Sequence, residues 1–126
     1  MTTQAQLTLW RAQRNITEPL GSEAFERALE EEIDEYTLAC TNNDTHEKVD
    51  AINDLLIFCR NELALMSYDE ELCQVETLKE ISSRQQDPLQ VTEWQLHGMS
   101  GKWRKDPNQD QSTLYKSNYT TCKLEP

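Results

Sequence analysis

The chain has 126 residues and a net charge of −11, with 37% apolar and 28% charged side chains. That is enough for one domain with a modest core and too little for two. Three glycines and four prolines argue against a sandwich of many tight turns, and the excess of acid argues against a nucleic-acid partner.

The charge is uneven. Residues 18–80 hold 18 acidic and 4 basic side chains, whereas residues 97–126 hold 3 acidic and 5 basic ones. The N-terminal Met1-Thr-Thr-Gln-Ala-Gln lacks a basic stretch followed by an apolar run, so no signal peptide is expected. No apolar segment approaches the 18 or so residues that span a bilayer, and a cytoplasmic location is expected. Cys40, Cys59, Cys73 and Cys122 are then expected as reduced thiols. With no Cys-x-x-Cys pair, and His46 far in sequence from His97, a zinc site is not expected.

In chain order, a first helix is predicted from about Thr3 to Arg14, ending at the breaker Thr17-Glu18-Pro19-Leu20-Gly21. Ser22 is a candidate N-cap for a second helix to about Cys40, with the apolar stripe Phe25, Leu29, Ile33, Tyr36, Cys40. The polar turn Thr41-Asn42-Asn43-Asp44 precedes a third helix, for which Thr45 is the candidate cap. Val49, Ile52, Leu56, Cys59, Leu63 and Met66 read as its core stripe. Ala51, Leu55, Phe58 and Leu65 lie on the opposite side at 100° per residue. A helix apolar on two sides is expected to be buried on two sides, the second against another subunit. A fourth helix, Asp69 to Gln85, carries Leu72, Val75, Leu78 and Ile81 and stops before Asp87-Pro88. From residue 88 on, Trp94, Trp103, Tyr115 and Tyr119 are interleaved with basic residues and periodicity is lost. The expected organisation is a helical domain over residues 1–87 and an irregular tail over 88–126, packed on that same domain.

Acidic residues interrupt this pattern in a meaningful place. Glu32 and Glu35 project from neighbouring turns of one face of the second helix, in a row with the small Ala28 and Ala39. On the third helix Glu47, Asp50 and Asp54 fall within about 60° of one another and begin the face that continues through Ala51, Leu55 and Phe58. A short turn makes the two helices an antiparallel hairpin, which brings both acidic sets to the same end. Like charges so placed repel, and partial burial raises the cost to several kcal/mol per unpaired ion. Only Lys48 is close by. The cluster therefore calls for a cation, and Mg²⁺ suits it, since that ion takes oxygen ligands and keeps positions open for water and phosphate.

Glu31-Glu32-Ile33-Asp34-Glu35, followed after the turn by Glu47-Lys48-Val49-Asp50, resembles the MazG-like superfamily of all-α nucleoside triphosphate pyrophosphatases. Ala51-Ile52-Asn53-Asp54-Leu55-Leu56 is similar to its phosphoribosyl-ATP pyrophosphohydrolase-like branch, and Gly101-Lys102-Trp103-Arg104-Lys105 with Leu114-Tyr115-Lys116-Ser117-Asn118-Tyr119 to the C-terminal loop of its small phage and bacterial members. The resemblance covers residues 22–85 closely and the tail loosely. The 11 residues between Glu35 and Glu47 are a shorter spacing than the family's usual one. The resemblance implies an all-α helical bundle completed by oligomerisation to a homodimer or homotetramer. It also implies Mg²⁺-dependent hydrolysis, with Mn²⁺ as an alternative ion, of a nucleoside triphosphate to nucleoside monophosphate and pyrophosphate. Carried over, Glu32, Glu35, Glu47 and Asp50 are the metal ligands, and Asp54 is a ligand or an outer base.

A triphosphate brings more negative charge than bound Mg²⁺ offsets. Lys102, Arg104, Lys105 and Lys116 are therefore candidate phosphate contacts, with Lys79 and Arg84 on the fourth helix. Tyr119, Trp10 and Trp103 are candidates to stack on a base. The alternative class is a non-enzymatic acidic module, antitoxin-like or DNA-mimicking, that covers a basic partner. Such a module needs its charge outside and has no use for carboxylates on an apolar face.

Overall fold

The computed structural model describes residues 1–85, 87–90 and 105–124. Among the described residues, α1 (Thr3–Gln13), α2 (Ser22–Thr41), α3 (Thr45–Leu65) and α4 (Glu70–Ser83) follow one another, with short 3₁₀ turns at Gln111–Thr113 and Tyr119–Cys122; residues 88–90, where the sequence pattern expects an irregular tail to begin, are helical as well. No strand occurs among the described residues, whose fold is all-α. No helix among them is long and apolar enough to cross a membrane. Contacts divide the chain into one unit of Met1–Glu70 with Leu124–Pro126 and another of Glu71–Lys123. Nearly all of α4 thus groups with the tail, whereas the sequence pattern places it with the preceding helices.

The first unit is built on the α2–α3 hairpin. Helix α2 has no side-chain cap and starts after Gly21 at φ 85°; Ser22 is its first residue, not its cap. The caps come from α3, where Glu62 accepts hydrogen bonds from the backbone N–H groups of Leu20 (2.9 Å) and Gly21 (3.3 Å). A buried carboxylate thereby satisfies donors at a positive helix end. The turn closes with Asn43 at φ 52°, a conformation that asparagine tolerates better than most residues. Asp44, rather than Thr45, then caps α3 by accepting from the Glu47 N–H at 3.1 Å. Between the helices Phe25 stacks on Phe58 with centroids 4.8 Å apart. Ala39 and Ala51, exposed by only 3% and 2%, mark the close approach near the turn. Helix α1 is tied to α3 by the buried Arg11, which donates to Asn61 at 2.7 Å.

Two apolar stripes do not lie where periodicity places them. On α3 most of the expected core stripe faces outward, with Val49 53%, Ile52 46%, Leu56 55% and Met66 52% exposed, while its Cys59 and Leu63 are half-buried; Ile33 on α2 is 52% exposed. The face of Ala51, Leu55 and Phe58 is the one packed on α2. Size decides this: Ala51 admits the neighbouring helix and Phe58 finds a ring to stack on. On α4 Leu72, Val75 and Leu78 are exposed, while Cys73, Glu76 and Glu80 are buried. The second unit is consequently held by polar contacts. Gln85 donates to Asp106 at 2.6 Å, Gln109 donates to the Ser83 carbonyl at 2.9 Å, and the Tyr115 N–H donates to the Ser83 hydroxyl at 2.8 Å. All four cysteines are free thiols.

Candidate metal centre

Between the stacked phenylalanines and the buried alanines, the α2–α3 hairpin gathers carboxylates. Glu32 and Glu35 from α2 and Asp54 from α3 each offer one oxygen, and the three oxygens lie within 4.8 Å of one another. The register follows from helix geometry. Glu32 and Glu35 are one turn apart, and Asp54 follows the buried Ala51 by three residues and precedes Phe58 by four, so it shares their side of α3.

Electrostatics mark Glu32 as the centre of the group. It is half-buried, and its Oε2 is buried without a hydrogen-bond partner. Burial raises the proton affinity of its carboxyl, and the adjoining Glu35 carboxyl and the charges of Asp54 and Asp50 raise it further. These are the signs of negative charge assembled without compensation. None of the three carboxylates joins an ion pair among the described residues. A divalent cation fits this donor set, because it binds hard oxygens and would satisfy the orphaned Glu32 Oε2.

Of the five carboxylates that the sequence singles out, Glu32, Glu35 and Asp54 form the group. Asp50 acts on Glu32 through its charge. Glu47 is exposed in the first turn of α3, where its N–H is held by Asp44.

Three of the expected phosphate contacts have acidic partners in the second unit. Lys79 pairs with Glu76 at 3.1 Å, and Arg84 and Lys105 both pair with Glu80 at 2.7 and 3.3 Å. Tyr119 shares a 2.7 Å hydroxyl hydrogen bond with Thr77. Lys116 lines a cavity of about 410 Å³ together with Arg84, Lys105 and Tyr119. Lys102, Arg104, Trp94 and Trp103 lie outside the described residues. Trp10 is partly exposed on α1, with the Arg14 guanidinium 4.4 Å from its ring centroid.

Two residues that apolar periodicity does not mark organise this second unit. Glu76 accepts from the Tyr115 hydroxyl at 2.5 Å, from the Asn118 N–H at 3.1 Å and from Lys79. Those contacts, Tyr115 first, pull its pKa down to about 2. Glu80 is likewise shifted downward, chiefly by Arg84. The available signal was a row at helical spacing, Cys73, Glu76, Glu80 and Ser83, in which the acids fall among small residues.

Comparison of the chain with protein-family models, with curated proteins and with solved structures finds no match. The functional reading therefore rests on residues and geometry.

Proposed function

We propose that the protein is a Mg²⁺-dependent nucleoside triphosphate pyrophosphohydrolase whose metal is held by the α2–α3 hairpin. The observation that carries this reading is the meeting of Glu32, Glu35 and Asp54 within 4.8 Å, around a buried carboxylate oxygen that has no partner. Glu35 and Asp54 are exposed and Glu32 is half-buried, and carboxylate oxygens brought this close repel one another unless a cation stands between them.

In this proposal Glu32, Glu35 and Asp54 would hold the ion. When bound, Mg²⁺ neutralises phosphate oxygens and increases the acidity of a coordinated water. Asp50, whose charge reaches Glu32, accepts the proton of the attacking water. The water oxygen attacks the α-phosphorus, the α–β anhydride bond breaks, and pyrophosphate departs with the bonding electrons. Glu47, exposed in the first turn of α3, completes the acidic end of the hairpin and attracts further cation. A second copy of the chain is proposed to cover the outward stripe of Ile33, Val49, Ile52 and Leu56. Isolated apolar side chains at a surface are ordinary, whereas a stripe along two adjoining helices marks an interface.

The test is release of pyrophosphate from a panel of ribo- and deoxyribonucleoside triphosphates with and without Mg²⁺. Metal-dependent release by the wild type and none by Glu35→Gln supports the reading. Absence of release from every nucleotide, with no Mg²⁺ binding by calorimetry, would instead favour an acidic module that covers a basic partner.

A further inference from the structure

The second unit contains a cavity whose charge is opposite to that of the hairpin. It measures about 410 Å³ and is lined by Arg84, Lys105, Lys116, Glu80, Tyr115 and Tyr119, among others. That size lies within the range of small-ligand sites. Its charged residues sum to +2, because Arg84 and Lys105 share the single carboxylate of Glu80 and Lys116 makes no ion pair among the described residues. In a chain of net charge −11, a concave surface of that sign is an anion site in electrostatic terms.

The aromatic residues add a second element of recognition. The Tyr119 hydroxyl is fixed by Thr77 at 2.7 Å and the Tyr115 hydroxyl by Glu76 at 2.5 Å. Both rings are thus held by their polar ends, yet they remain 41% and 38% exposed. Lys79 stands over Tyr115, 5.9 Å from its centroid, which leaves Tyr119 as the freer platform for a flat ring.

We infer that this cavity binds a phosphate monoester of nucleotide size, with the dianionic phosphate among Lys116, Lys105 and Arg84 and the ring against Tyr119. The choice of a nucleoside as the ring-bearing group rests on the hydrolase reading above. The anion site itself rests on the cavity. Two charges of the phosphate balance the excess of two in the lining, and Lys116 supplies an ammonium that no carboxylate among the described residues pairs with.

The experiment titrates inorganic phosphate, and separately a nucleoside monophosphate, into the full-length protein in EDTA, read by calorimetry and by amide chemical shifts. Both are expected to bind saturably, the nucleotide more tightly. Lys116→Ala should weaken both by about tenfold, the worth of one charge-assisted contact. Tyr119→Leu should reduce the nucleotide to the affinity of phosphate alone. Binding should persist in Glu35→Gln, which separates this site from the metal centre. It should also persist if the wild type hydrolyses nothing, so a failed hydrolase reading would leave this result standing. Absence of saturable binding up to about 10 mM, unchanged affinity in Lys116→Ala, or loss of binding in Glu35→Gln would overturn the proposal.

Discussion

Glu32 and Glu76 are two glutamates with opposite electrostatic fates, and the difference makes pH a useful probe of each. Glu32 has carboxylate neighbours and a buried oxygen, so its pKa stands above 4.5. An acid whose folded pKa is raised penalises the fold when it ionises. The penalty is absent below the unfolded value and complete above the folded one. Metal-free protein should therefore lose stability as pH rises from 4.5 through the raised pKa of Glu32. Glu32→Gln should remove that loss and raise the apo melting temperature near neutral pH. Mg²⁺ should reverse the order, stabilising wild type more than the variant, because the ion favours ionised ligands. Melting curves in EDTA and in Mg²⁺ check this, and a lower apo melting temperature for Glu32→Gln would count against a converged cluster. Glu76 behaves in the opposite sense. Its pKa is pulled from 4.5 to about 2, so the stability it contributes is present above 4.5 and lost as pH falls toward 2. Tyr115→Phe removes the leading contact. It should lower the melting temperature by about 5 °C and flatten the acid limb of the curve.

At the scale of elements, the α2–α3 hairpin was legible in the sequence because turn chemistry and acid spacing are local properties. The turn at Asn42–Asp44 follows from local spacing, but of Glu47, Asp50 and Asp54, which spacing places together, Asp54 is the one that joins the oxygens of Glu32 and Glu35. The choice of packed face was not legible. Helix α3 carries two apolar faces, and periodicity assigns the core to the one that is mostly exposed; stacking Phe58 on Phe25 and burying Ala51 and Ala39 is a tertiary choice of shape. Asp54 joins Glu32 and Glu35 for the same reason, since it lies on the face that shape selects. The buried row of Glu76 and Glu80 was equally hidden, because its donors, Tyr115, Asn118 and Lys105, come from distant parts of the chain. The outward stripe leads to a prediction at this scale. Wild type should sediment as a dimer or larger assembly, and Leu56→Arg should yield a folded protein of lower mass, since its target is exposed within the chain and a charge opposes a desolvated interface. A wild-type monomer at micromolar concentration would show that a second copy does not cover the stripe.

Over the whole molecule, charge divides with the contact units. The unit of residues 1–70 and 124–126 holds sixteen acidic and five basic side chains, whereas Glu71–Lys123 holds seven of each. The entire net charge thus belongs to the part that contains the metal centre, and the second unit is neutral overall with a basic cavity. The two units also differ in what holds them. The hairpin is packed through Ala39, Ala51, Phe25 and Phe58, but α4 turns Glu76 and Glu80 toward tail donors and leaves Leu72, Val75 and Leu78 exposed. A 14-residue helix is marginal in water on its own, and without the tail its two carboxylates lose Tyr115, Asn118 and Lys105. Truncation after Gln85 should therefore melt much of α4 while the hairpin persists. Circular dichroism would report a partial loss of helix, and calorimetry would still detect Mg²⁺ through Glu32, Glu35 and Asp54. Two results would separate the possibilities. Full helicity would show that α4 does not depend on the tail, and full activity would show that the basic residues of the tail act in something other than turnover.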